Sequence, residues 1–194
     1  MHSWSVMTPR SRAAFGGPRQ ACAILFLSIA SFCALAQDLK ATPADIKAAY
    51  LLKLPSFVEW PTPTAADVPF VIQVVDADDV AHALAELGRG IKVMGRPVKV
   101  TRLSKDEVGT AAQLVFVGAS VKGKPASLAE GRADDALIVS DQPNGLAEGA
   151  ALQFVEAGGR VRFEAAPANA LRHGMKLSAR LLSVAIKVES GATP

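Results

Sequence analysis

Three short apolar runs constrain the fold of this chain more than any other feature. They span residues 68–75, 114–117 and 136–139, and only Pro69 and Gln73 interrupt them. Strands that are buried on both faces of a sheet show continuous apolar runs, because neither face meets water. The segments between the runs are long enough for crossover connections, so we expect central, parallel strands of an α/β fold.

The segments around these runs predict further elements. Thr42 can cap a helix that begins at the next residue, and Pro55 should end or kink that helix because proline has no N–H to donate. An amphipathic helix is predicted at about 79–87, and a short helix near 124–130. Residues 97–101 alternate between apolar and polar, which favours an edge strand or a half-covered one.

The C-terminal part of the sequence predicts a hairpin followed by a helix. Residues 151–156 and 160–164 flank the turn sequence Ala-Gly-Gly at 157–159, and apolar side chains alternate with polar ones on both sides. A helix over about 168–188 would then cover the sheet. Together the segments predict a three-layer α/β fold with a mostly parallel central sheet, a C-terminal antiparallel hairpin and a C-terminal helix packed on the sheet.

The first 36 residues have the pattern of a cleaved secretory signal peptide. Arg10, Arg12 and Arg19 precede an apolar run at 21–30, and Ala-Leu-Ala at 34–36 forms an A-x-A cleavage site. The run is shorter than the roughly 20 residues that span a bilayer. We therefore expect a periplasmic protein without a transmembrane span in its mature form, with residues 37–194 as a single domain.

Removal of this leader changes what the composition implies. The leader holds 3 of the 21 basic residues, none of the 18 acidic residues and both cysteines. The remaining chain has balanced charge, so the basic whole-chain value does not indicate a nucleic-acid partner. A mature domain without cysteine forms neither a disulfide nor a thiolate metal site, and we expect no cofactor.

Several segments, in this order and spacing, resemble the YfiR-like family of periplasmic proteins. They are residues 47–52 followed by 57–61, 95–98, 114–117, 136–141, 159–164 and 174–182. The resemblance covers nearly all of the predicted mature chain. It implies a regulator that binds the periplasmic sensory part of an inner-membrane diguanylate cyclase and acts in cyclic di-GMP signalling. A sensor kinase is the other membrane-bound partner that we consider.

The chain departs from the family pattern in three respects. Ala166 stands where such proteins usually have asparagine, and Pro55 falls within a helix that is usually unbroken. The cysteines that stabilise the best-known members are absent from the mature chain. A redox-controlled mechanism is therefore not carried over.

Nothing in the sequence forms a convincing catalytic or metal constellation. Residues 118–124 have the glycine and lysine spacing of a phosphate-binding loop, but Pro125 replaces the hydroxyl residue that would hold magnesium. His82 and His173 lack metal-ligand spacing and stand beside no evident nucleophile. We expect a binding protein rather than an enzyme, with a hydrolase as a distant alternative.

Five residues are candidates for partner binding. Arg172, Lys176, Arg180 and Lys187 would share one face of the predicted last helix. That face is either its solvated side or a docking strip for an acidic partner surface or anionic lipid head groups. Trp60 either fills the core beside Phe57 or anchors an interface. Whether the domain forms a homodimer stays open.

A second candidate site is a ligand crevice at the carboxyl ends of the central strands. Asp76, Gly118, Ser140 and Asp141 follow the three apolar runs. Open parallel sheets bind ligands at this edge. The alternative function is therefore a periplasmic small-ligand sensor or carrier.

Overall fold

A mostly parallel sheet organises the computed structural model, which describes residues 41–61, 67–107, 111–129 and 136–189. The predicted leader at 1–36 lies outside the described residues. The helices are α1 (Pro43–Lys53), a 3₁₀ helix (Leu54–Phe57), α2 (Asp78–Leu87), α3 (Pro125–Ala129), α4 (Pro167–Arg172) and α5 (Ala179–Leu182). The strands are β1 (Val58–Glu59), β2 (Phe70–Val75), β3 (Lys92–Val93), β4 (Arg96–Leu103), β5 (Leu114–Val117), β6 (Leu137–Ser140), β7 (Leu152–Ala157), β8 (Arg160–Ala165), β9 (Lys176–Leu177) and β10 (Lys187–Val188).

The main sheet has the strand order β10-β8-β7-β6-β5-β2-β4-β3, and β1 and β9 form a separate antiparallel pair. Strands β4, β2, β5, β6 and β7 run parallel, with Ile72 beside Leu114 and Leu114 beside Leu137. The three apolar runs are thus central parallel strands, as predicted. Within the described ranges, β4 has only the two-residue β3 on its outer side, which fits the half-covered strand that its alternation indicates.

The sheet has an apolar core on each face. Phe70, Ile72 and Phe116 share a cluster with Leu51 of α1 and Leu84 of α2. The strand residues that alternate with these point to the other face, where two smaller clusters form. One includes Val75, Val115, Val117 and Val121. The other joins Ile138 and Ala150 to Ala126 of α3. Helices therefore contact both faces, and the predicted three-layer α/β class is confirmed.

The predicted ends of the first helix and the predicted hairpin turn are both present, and local residues explain them. The Oγ1 atom of Thr42 accepts a hydrogen bond from the backbone of Asp45, and the regular helix α1 ends at Lys53, just before the 3₁₀ turn that contains Pro55. In the hairpin, Gly158 and Gly159 have φ values of 61° and 68° between the paired residues Ala157 and Arg160. Two positive φ angles are what a two-residue turn between twisted strands requires, so the predicted hairpin is confirmed.

The predicted continuous helix over 168–188 is wrong. The helix α4 ends at Arg172, and Gly174 then adopts a left-handed φ of 72° while the N–H of Met175 donates to the Ala170 carbonyl. This geometry ends a helix. The chain then forms β9, the short helix α5 capped by Ser178, and β10 at the edge of the sheet.

Candidate functional site

An open apolar groove with a volume of about 600 Å³ follows the outer side of α1 and the 3₁₀ turn. Its opposite wall comes from β8 and α5. The apolar lining residues are Ala41, Ile46, Ala49, Tyr50, Leu54, Phe57, Leu87, Phe163, Leu181 and Val184. Small-molecule sites have volumes of roughly 300 to 1,000 Å³ and a mostly apolar lining, so this groove has the size and character of a ligand or partner site.

The groove exists because α1 is apolar on more than one side. Ala48, Leu51 and Leu52 are buried against the sheet, whereas Ile46 and Tyr50 are only partly covered. The ring of Tyr50 lies 5.8 Å from the rings of both Phe154 and Phe163. Phe57, which the sequence assigned to the core, is also half-buried and lines the groove. Sequence pattern alone does not separate such wall residues from core residues.

Three charged side chains accompany the apolar lining of the groove. They are Asp45, Lys53 and Arg180. The guanidinium carbon of Arg180 lies 5.8 Å from the centre of the Phe57 ring, within the range of a cation–π contact. Neither Lys53 nor Arg180 forms an ion pair with any residue that the structure describes.

Asp45 is already engaged by the start of α1. Its Oδ2 atom accepts hydrogen bonds of 2.8 Å from both the backbone N–H and the hydroxyl of Thr42. The backbone hydrogen bond, followed by the hydroxyl one, lowers the pKa of Asp45 below its usual value. The acid of the groove therefore serves the helix cap, and the two cations are available to a ligand or partner.

The predicted crevice residues do come together at the carboxyl ends of the strands. The N–H of Gly118 donates to Val75 at 2.9 Å, and that of Asp141 donates to Val117 at 3.2 Å. A Cβ atom on Gly118 would lie 2.4 Å from the carbonyl oxygen of Asp76. The loop after β5 therefore packs directly against the loop after β2, and only glycine fits at position 118.

Ser140 and Asp141 have structural partners. Ser140 is fully buried, donates to the Val117 carbonyl at 3.3 Å and accepts from the Gln142 N–H at 3.0 Å. Asp141 forms an ion pair with Lys47 of α1, which the sequence did not predict. The other carboxylate oxygen of Asp141 is buried without a hydrogen-bond partner among the described residues. Ligand binding at this edge stays a prediction.

The basic residues proposed as a docking strip lie on four elements. Arg172 ends α4, Lys176 pairs with Glu59 across the β1–β9 ladder, Arg180 is in α5 and Lys187 is in β10. All four are exposed, but the helix that was expected to align them is absent. Only Arg180 contributes to the groove. Their role in partner binding stays a prediction.

Trp60 packs against the core. Its indole N–H donates to the Pro55 carbonyl at 3.1 Å, and its ring meets Phe70 edge-on at 5.7 Å between centres. The side chain is nevertheless only partly buried. These contacts are those of a core residue, and its proposed interface role stays a prediction.

Beside the groove, an apolar strip runs from the turn after α5 to the edge strand β10. Val184, Ile186 and Val188 are 60%, 49% and 39% exposed, and Val184 also lines the groove. Among the described residues β10 has β8 as its only strand neighbour, so its other edge is unpaired there. Exposed apolar patches and free strand edges both favour protein association.

Among the described residues, no group of three or more His, Cys, Asp or Glu side chains could hold a metal ion. No helix within the described ranges is both long and apolar enough to cross a membrane.

Comparison with known proteins identifies a family. A model of the YfiR/HmsC-like family matches residues 44–186, which is more than half of the 194-residue chain. The match includes the groove lining except Ala41, all four crevice residues, every partner-binding candidate except Lys187, and the main-sheet strands β2 to β8. No curated protein matches the chain.

Proposed function

Because the chain belongs to the YfiR/HmsC-like family, we propose that it is a periplasmic regulatory protein that binds the periplasmic part of an inner-membrane diguanylate cyclase and holds that enzyme inactive. The output of such a pair is the cellular level of cyclic di-GMP. A sensor kinase is the other partner class that fits the same role.

The apolar strip Val184, Ile186 and Val188 is the observation that carries a partner-binding role. Val184 lies in the turn after α5, and the N–H of Ile186 donates to the Phe163 carbonyl of β8. Val188 is in the edge strand β10, so three exposed apolar side chains lead up to the edge of the described sheet. Water contact with these side chains is unfavourable, and a partner strand or apolar surface would remove it.

The charged residues beside the apolar strip favour association with one particular partner over unspecific association with other proteins. Lys187 lies between the apolar residues and forms an ion pair of 3.3 Å with Glu189. Charges interspersed along an edge strand oppose pairing with a sheet whose own charges do not match. The partner surface should therefore be apolar with a compatible pattern of charges.

A non-catalytic role is part of the same proposal. The hydroxyl of Ser140 already bonds to the Val117 carbonyl, and the carboxylate of Asp141 is paired with Lys47. Both side chains are engaged in contacts within the fold at the strand ends. This supports a binding role rather than catalysis at this edge.

Affinity capture tests the proposal. The protein, expressed from its full sequence with a C-terminal tag on a flexible linker, is used to capture proteins from solubilised envelope. We expect a diguanylate cyclase in the eluate and a rise in cyclic di-GMP when the gene is deleted. The variant Ile186→Lys should reduce cyclase capture at least about tenfold, since it places a charge in an apolar contact.

Ile91→Lys is the matched control, because Ile91 is 44% exposed beside β3 at the opposite sheet edge. It should capture the cyclase as the unaltered protein does. Equal loss in both variants would place the contact elsewhere. No captured cyclase together with unchanged cyclic di-GMP after deletion would refute the regulatory role.

The groove favours a second candidate function, a periplasmic small-ligand sensor or carrier. Its 600 Å³ volume and apolar lining are those of a ligand site. A thermal-shift screen against metabolite fractions tests this function, which is compatible with partner regulation. No shift with any fraction would count against it.

A further inference from the structure

We propose that the groove along α1 binds a medium- or long-chain fatty acid, with the acyl chain on its apolar floor and the carboxylate at Lys53 and Arg180. This deepens the sensor function proposed above by naming its ligand class. It does not depend on the diguanylate cyclase.

The shape of the groove suits one extended chain. Its lining runs from Ala41 and Asp45 at the start of α1 to Phe57 in the 3₁₀ turn. An 11-residue helix is about 16 Å long, so the groove offers an elongated surface rather than a compact pocket. The side chains that face it are aliphatic or aromatic along nearly this whole length.

The charges of the groove suit an anionic head group. Arg180 and Lys53 have no carboxylate partner among the described residues, and the Oδ2 atom of Asp45 is bonded to Thr42. A guanidinium matches a carboxylate with two parallel N–H donors. Because Arg180 also lies over the Phe57 ring, its charge is next to the apolar surface that the chain would cover.

The same residues disfavour a ligand with a cationic or a neutral head group. A cationic amphiphile would meet two cations that have no ion-pair partner among the described residues, and an acid that already accepts two hydrogen bonds. A neutral amphiphile would bury the same apolar area but leave both cations without a new partner. The carboxylate is thus the head group that distinguishes this groove from a simple apolar patch.

Isothermal titration calorimetry tests the proposal with octanoate, decanoate and dodecanoate, each below its micelle-forming concentration. The protein is produced from its full sequence. Each additional pair of methylene groups should tighten binding roughly fifteenfold until the groove is full. Dodecanol should bind about tenfold more weakly than dodecanoate, because it gains no charge-assisted hydrogen bond.

Two pairs of variants locate the site. Arg180→Gln should weaken dodecanoate binding about tenfold and leave dodecanol binding unchanged, whereas Arg160→Gln, at an exposed arginine of the hairpin outside the groove lining, should change neither. Ala49→Phe should fill the groove and abolish binding of both ligands. Ala179→Phe, at an exposed helical alanine outside the lining, is its control. Circular dichroism verifies that each variant is folded.

The proposal is overturned if the unaltered protein binds none of the fatty acids. It is also overturned if dodecanol and dodecanoate bind equally, or if Ala49→Phe retains binding. These measurements contain no partner protein, so their failure is separate from a failure to capture or regulate a cyclase.

Discussion

Lys47 in α1 forms an ion pair with Asp141, which lies 94 positions later at the carboxyl end of β6. Their side chains are only 20% and 12% exposed. The pair ties the helix that forms the groove to the edge of the central sheet. Because the other carboxylate oxygen of Asp141 is buried without a hydrogen-bond partner among the described residues, removing Lys47 would leave this carboxylate without a described cation.

Replacing Lys47 by methionine should destabilise the protein. The change keeps the length of the side chain but leaves the Asp141 carboxylate partly buried without its cation, which should cost about 2 to 3 kcal/mol of unfolding free energy. Chemical denaturation at pH 7 measures this loss. In the double variant Lys47→Met/Asp141→Asn, part of the stability should return because the uncompensated charge is gone.

Arg89→Met is the control for this pair. It breaks the Arg89–Glu86 ion pair, whose side chains are 74% and 45% exposed, and should change the stability by about 0.5 kcal/mol or less. A loss in Lys47→Met as small as in this control would mean that the Lys47–Asp141 pair contributes nothing particular. A double variant that is no more stable than Lys47→Met would argue the same.

Asp45 should make the start of α1 sensitive to acid. Its hydrogen bonds with Thr42 lower its pKa in the folded protein below the usual 3.8. A carboxyl group with a depressed folded-state pKa stabilises the fold above its unfolded-state pKa, and this contribution disappears as pH falls through the folded-state value. The stability advantage over Asp45→Asn should thus be complete near neutral pH and vanish in the acid range below about pH 3.8.

Denaturation of both proteins at a series of pH values measures that difference. Asp106→Asn is a suitable control, because Asp106 is highly exposed and its nearest cation, Lys105 Nζ, is 3.6 Å away. This control should follow the unaltered protein more closely than Asp45→Asn does. A stability difference between the unaltered protein and Asp45→Asn that stayed constant with pH would contradict the assigned cause.

The parts of the fold that the sequence predicts correctly are those set by local rules. The strands β2, β5 and β6 are apolar on both faces, so their burial is visible in the sequence itself. The two glycines at 158 and 159 likewise specify the hairpin turn. In each of these places a local requirement, either burial on both faces or a positive φ angle, is met by few residue types and is therefore visible in the sequence.

The C-terminal segment does not have such a unique pattern. Its apolar residues at 171, 175, 177, 181, 182 and 184 fit a helix, but they also fit short elements that turn between the core, the groove and the sheet edge. Gly174, whose left-handed φ of 72° ends the helical region, was the available sign of a break.

The groove and the Lys47–Asp141 pair need tertiary information. Ile46, Tyr50 and Phe57 have the spacing of core residues, and only the positions of β8 and α5 decide that they face an opening. Lys47 and Asp141 are 94 positions apart in the sequence, so no local pattern connects them. The carboxyl-edge cluster could be predicted because parallel strands necessarily end there together.

Arg96 is a buried cation without an acidic partner among the described residues. Only 5% exposed, it donates from Nε to the Val68 carbonyl at 2.7 Å and from Nη2 to the Pro69 carbonyl at 2.6 Å. Its guanidinium carbon also lies 5.3 Å from the centre of the Phe70 ring. Burial lowers the pKa of Arg96, so the fold holds this charge through carbonyl oxygens and a ring face.

Arg96→Lys should therefore be destabilising despite the retained charge. A lysine ammonium has no planar fork and cannot reproduce two directed hydrogen bonds together with stacking on Phe70, so we expect a loss of about 2 kcal/mol in unfolding free energy. Arg102→Lys, at a side chain that is 61% exposed and paired with Asp78, should change the stability by less than about 0.5 kcal/mol. Chemical denaturation compares the two. Equal effects would mean that the position requires only a positive charge, whereas a loss confined to Arg96→Lys would show that the guanidinium geometry joins the start of β4 to the start of β2.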